Sequence, residues 1–98
     1  MSYREVFGEH LRLTILRVLA ESPTWSANDA ILKGAAVELG IAATRDQVRT
    51  ELAWLSEQRL VATHMVGELT VATATERGLD VAAGQAFQPG VARPTPRP

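Results

Sequence analysis

Residues 44–55, TRDQVRTELAWL, carry the densest set of groups in this chain that could do chemistry. Arg45 and Arg49 hold forked donors that can bond two acceptors of guanine at once, and Gln47 can pair in the same way with adenine. Thr44 and Thr50 add hydroxyls of the kind that contact phosphate. Groups like these read duplex DNA when they stand on the leading turns of a helix laid in the major groove. Thr44, Arg45, Gln47, Arg49 and Thr50 are therefore the candidate DNA contacts. The same face has a plainer use. Gln47 can close a cap, Asp46 repels phosphate, and Glu51 and Glu57 can pair with the arginines along the helix.

Positioning these groups falls to the elements around them. Thr44 with Gln47 three residues on is a capping box, so a helix is expected over roughly 44–58, anchored by Val48, Leu52 and Leu55. A helix is also expected over roughly 27–39. Ser26 or Asn28 caps it, Gly40 closes it, and Ile31, Ala35 and Leu39 form its inner stripe. The first helix spans roughly 3–21 and ends before Pro23. Phe7, Leu11, Ile15 and Val18 share one face of it. Val6, Leu13, Leu16 and Ala20 form a second apolar strip, roughly opposite. Such a helix is either sandwiched inside the domain or shared between two copies, and the second strip is the candidate dimer face.

After Arg59 the period changes. LVATHMVGELTVATA is rich in valine and threonine, and Gly67-Glu68 suits a type II′ hairpin turn pairing Val66 with Leu69 and His64 with Val71. TERGLDVAAG then reads as a last helix, with Thr75 as cap, Gly78 as a weak spot and Gly84 as its end. The chain divides into a domain over 1–84 and a proline- and arginine-containing extended tail over 85–98. Arg93 and Arg97 in that tail could follow a DNA groove. The tail could instead dock on a partner or end in solvent. Trp54 flanks the buried stripe of its helix and suits the core or a partner contact, and Trp25 sits in the loop after Pro23.

Composition narrows the functional classes. The chain has 98 residues, 46 % of them hydrophobic and 21 % charged, which fits one globular domain. It has no cysteine, so thiolate metal sites and cysteine nucleophiles are excluded. His10 and His64 stand apart, with no carboxylates at ligand spacing, and no phosphate loop or nucleophile–base motif occurs. No enzymatic role, cofactor or metal is expected. The N-terminal apolar stretch is broken by charges, so neither a leader nor a membrane span is read there, and a cytoplasmic location is expected. Residues 1–90 hold eight cations against eleven acids. No Lys or Arg lies between Leu60 and Glu76. Any DNA binding must therefore come from a local patch, a dimer or the tail.

The element order, three helices, a hairpin and a closing helix, describes a mainly α fold with a small β-hairpin, the winged helix-turn-helix. Winged-helix regulators show Leu-x-x-Leu on the recognition helix, then Gly-Leu-Val before the wing, then Leu-Thr-x-x-Gly. Here Leu52 and Leu55, Leu60-Val61, and Thr75 and Gly78 match that pattern. Arg59 replaces the usual glycine, at a cost of about 1 kcal/mol if the backbone there is left-handed. More narrowly, TRDQVRTELAWLSEQRLV and ATERGLDVAAG make the chain resemble the small winged-helix proteins of Mu-like phages and prophages labelled ArsR-type regulators. The resemblance implies a homodimeric transcriptional regulator that binds double-stranded DNA. Metal-sensing ArsR members use cysteine thiolates, which this chain lacks. The residues also fit a different class, a protein-interaction adaptor in phage assembly, DNA packaging or host interference, with a phage or host protein as partner. The acidic core and cation-free hairpin favour that class.

Overall fold

Ser2 accepts a hydrogen bond from the Glu5 amide and opens α1, which runs from Tyr3 to Glu21. The structure, a computed structural model, describes residues 1–95. α1 packs against α2 (Asp29–Glu38), α3 (Arg45–Glu57), α4 (Glu76–Ala82) and the sheet. That enclosure accounts for its apolar residues on two sides. Leu11, Ile15, Leu16 and Leu19 are at most 1 % exposed, and Leu13 is 6 % exposed. The dimer face read from the sequence is therefore divided. Leu13 and Leu16 lie in the chain's own core, out of reach of a second copy, and only Val6 and Ala20 stand outside.

A single 3-10 turn, Pro23–Trp25, leads into a strand that the sequence pattern did not indicate. This strand, β1 (Ser26–Asn28), pairs antiparallel with β3 (Leu69–Ala74), and β3 pairs on its other side with β2 (Val61–Val66). The fold is thus four helices with a three-stranded antiparallel sheet of order β1-β3-β2. Ser26 and Thr73 share a hydroxyl hydrogen bond of 2.6 Å across the β1–β3 pair.

β1 also sets the phase of α2. Asn28 accepts from the Ile31 amide, so the helix begins at Asp29, not near 27. Asp29, Leu32 and Ala36 then face inward. The expected inner stripe is corrected accordingly: Ile31 is 57 % and Leu39 65 % exposed, and Ala35 is half-buried. Gly40 ends the helix with φ +88°.

α3 follows its sequence signals. Thr44 accepts from the Gln47 amide, Gln47 Oε1 accepts from the Thr44 amide, and Val48, Leu52 and Leu55 are buried. Arg59 turns the chain with φ +62°, the left-handed position anticipated for it. In the hairpin, Val66 pairs with Leu69 and His64 with Val71. Gly67 has φ +59° and Glu68 an ordinary negative φ, as a type II′ turn requires.

The start of α4 is fastened to the turn before β2. Thr75 accepts from the Gly78 amide, and its hydroxyl donates to the Arg59 carbonyl at 2.8 Å. A side chain at Gly78 would overlap the Leu60 carbonyl oxygen. Gly78 is therefore a contact between two segments and not a weak spot in a helix. Beyond α4, residues 85–95 form no regular element but fold back onto the domain. Val91 is 4 % exposed and belongs to the core, and the Ala92 amide donates to the Glu9 carbonyl at 3.1 Å. Among the described residues no helix is long and apolar enough to cross a membrane.

Candidate functional site

The leading half of α3 and the hairpin tip meet over one carboxylate. Asp29, at the first position of α2, has a fully buried side chain. Its Oδ2 accepts from Arg45 Nε at 3.1 Å and from Arg49 Nε. The Nη2 groups of the same two arginines donate to the Glu68 carbonyl in the hairpin turn. Four segments of sequence are thereby joined: α2, two successive turns of α3, and the tip of the hairpin. Asp29 Oδ1 has no hydrogen-bond partner among the described residues. Burial pushes the Asp29 carboxyl up. Hydrogen bonds from Arg49 and Arg45, together with their charges, pull it further down, so its pKa lies below the ordinary aspartate value.

The sequence places Arg45 and Arg49 four residues apart, hence on one flank of α3. The buried stripe fixes which flank. With Val48, Leu52 and Leu55 inward, the arginines lie beside the hairpin, while Glu51 and Trp54 lie on the opposite flank facing α1. The line pointing furthest from the core is Asp46, Thr50, Ala53 and Glu57, all exposed. It carries two acids and no cation.

Each of the five predicted DNA contacts makes a bond within the chain. Thr44 and Gln47 close the cap. The Thr50 hydroxyl donates to the Asp46 carbonyl at 3.1 Å. Arg45 and Arg49 are held as described, with 42 % and 41 % of their side chains exposed. Among the described residues their Nη1 groups and the Gln47 amide nitrogen have no hydrogen-bond partner. Of the tail candidates, Arg93 lies 5.0 Å from the centroid of the Phe87 ring, and Arg97 lies outside the described residues.

Sequence reasoning missed Asp29. It reads as a first-turn acid favoured by the helix dipole, and nothing local signals that two arginines from another helix close over it. Also unforeseen was the seat of Trp54, which takes the Arg12 guanidinium and the returning tail.

Comparison with known proteins places the chain in a lineage. Uncharacterized protein gp26 of Escherichia phage Mu is 41 % identical over 93 residues, which cover 95 % of this chain and 96 % of that protein. The chain belongs to the phage Mu gp26 family. A protein of Haemophilus influenzae is 38 % identical over 80 residues, covering 81 % of this chain and 78 % of its own. No protein-family model matches the chain. The relation to gp26 extends across the domain and the returning tail alike, so it concerns the whole fold and not one motif.

The hairpin gives this gp26-family chain its other distinctive surface. β2 is an edge strand whose residues Ala62 to Val66 are all exposed, Met65 at 60 % and Val66 at 54 %. No charge interrupts it.

Proposed function

We propose that this chain is a non-enzymatic protein-docking module of a Mu-like phage or prophage, built on a winged helix-turn-helix domain whose hairpin wing meets protein. α2 and α3 correspond to the helix-turn-helix and β2–β3 to the wing. The observation that carries the reading is the wing's uncharged, exposed edge strand, which offers backbone groups to another strand and no cation to phosphate. The recognition helix agrees with it. Its outermost line is acidic, and withdrawing both arginines from Asp29 would leave a buried carboxylate without compensation, an arrangement that costs roughly 3–5 kcal/mol.

A second reading, a DNA-binding regulator, is favoured by one observation. Arg45 and Arg49 stay about two-fifths exposed and share a single carboxylate partner, so part of each guanidinium is open to a phosphate. This reading calls for a dimer that sets two such helices about 34 Å apart.

Filter binding to a short random-sequence duplex over a salt series separates the two. The docking reading expects weak binding with a shallow salt dependence. A steep fall in affinity with salt, reduced by Arg49→Ala in a protein that still folds, would overturn it in favour of DNA.

A further inference from the structure

The wing's free edge raises the question of which strand it takes. The hairpin register determines which backbone groups are on offer. A two-residue turn makes Val66–Leu69 the hydrogen-bonded pair that closes it, and bonded and non-bonded pairs alternate along an antiparallel ladder. Ala62, His64 and Val66 therefore bond to β3. Val61, Thr63 and Met65 turn their N–H and C=O groups away from β3, but Val61 is only 2 % exposed, so the groups on offer to another chain are those of Thr63 and Met65, which among the described residues make no other backbone bond.

Those outward groups are self-complementary. An antiparallel two-fold centred on His64 pairs Thr63 of each copy with Met65 of the other, and both pairs fall on exposed outward positions of both strands. Charge agrees. The residues nearest to either end of β2 that carry charge are Arg59 before it and Glu68 after it. The same two-fold sets Arg59 of each copy beside Glu68 of the other, whereas parallel pairing would set like charge against like. Both residues are exposed. The other sheet edge, β1, has three residues and follows directly on the Pro23–Trp25 turn, so it offers no comparable ladder.

We propose that β2 pairs with β2 of a second copy, antiparallel about His64, joining two three-stranded sheets into one. This rests on the docking reading and names its occupant. A ladder of five residues, Ala62 to Val66, is a small interface, so the dimer dissociates on dilution.

The absence of cysteine allows a clean test on the whole chain. Non-hydrogen-bonded antiparallel partners have Cα atoms about 4.5 Å apart, within the usual disulfide span of about 4.4–6.8 Å. His64→Cys therefore cross-links to a dimer under mild oxidation. Thr63→Cys, offset by two residues from its own copy and about 8 Å away, does not. Light scattering on the unmodified chain shows reversible dimerisation with concentration. Arg59→Glu weakens it several-fold, and Arg59→Glu with Glu68→Arg restores it. Thr75 holds only the main chain of Arg59, and Arg45 and Arg49 hold only the main chain of Glu68, so these exchanges leave the fold intact. A monomer at every concentration, or equal cross-linking at positions 63 and 64, overturns the self-pairing. The monomer result leaves the docking reading standing with a foreign strand as occupant, whereas steep salt-dependent DNA binding defeats that reading by a separate route.

Discussion

The Arg12 guanidinium lies 4.1 Å from the centroid of the Trp54 ring, and both groups hold the returning tail. Arg12 Nε donates to Glu51 at 2.6 Å, and Nη1 donates to the Gly90 carbonyl at 2.8 Å. A side chain at Gly90, which has φ +96°, would come within 2.7 Å of the Trp54 ring. One residue of α1 thus joins α3 to residues 85–95, and glycine at 90 lets the backbone lie against the indole.

Arg12→Ala removes an ion pair, a charge-assisted hydrogen bond and a cation–π contact in a part-buried place. The expected loss is about 2 kcal/mol in urea unfolding. The Ala92 amide, which donates to Glu9, should lose protection in hydrogen exchange while the amides of α3 keep theirs. Unchanged protection at Ala92 would mean that Val91 alone holds the tail.

Gly78→Ala has an expected sign opposite to helix propensity. In an exposed helix the change gains up to about 1 kcal/mol. Here the added methyl meets the Leu60 carbonyl, which cannot withdraw because it also accepts from the Thr75 amide. Destabilisation of about 1–3 kcal/mol is expected. A stabilised variant would show that the two segments part easily.

Two neighbouring residues of α2 should differ sharply. Leu32→Ala empties a site that is 1 % exposed and should cost about 2–5 kcal/mol. Ile31→Ala removes a 57 % exposed side chain and should stay within about 0.5 kcal/mol. Equal losses would mean that the outer face of α2 is covered in solution.

These contrasts mark what the sequence could reveal. Elements with polar punctuation were legible: the Thr44–Gln47 box, the Gly67-Glu68 turn and the Thr75 cap each name a local geometry, and each occurs. α2 was harder, because it is apolar on most sides and its phase depends on β1, which is held by distant β3. The same limit hid the site. Arg45 and Arg49 could be picked out by type and spacing, but their partner Asp29 lies 16 and 20 residues away and meets them only through packing. The docking of residues 85–95 was equally silent, since a proline-rich composition does not say what glycine and valine will lie against.

Asp29 yields a pH prediction whose direction follows from its lowered pKa. A carboxylate that titrates lower in the folded chain than in the unfolded one stabilises the fold above its unfolded value. That stabilisation disappears as the pH falls through the folded value. Asp29→Asn keeps the shape but leaves two arginines four residues apart with no anion between them. It should cost about 1–3 kcal/mol at neutral pH. The difference between the native chain and this variant should stay constant from neutral pH down to about 4, the ordinary aspartate range, and narrow below it. Urea midpoints across that range measure it. A difference that closed well above pH 5 would belong to another group. One that never closed would mean that the loss comes from the asparagine amide facing two arginine donors and not from the missing charge.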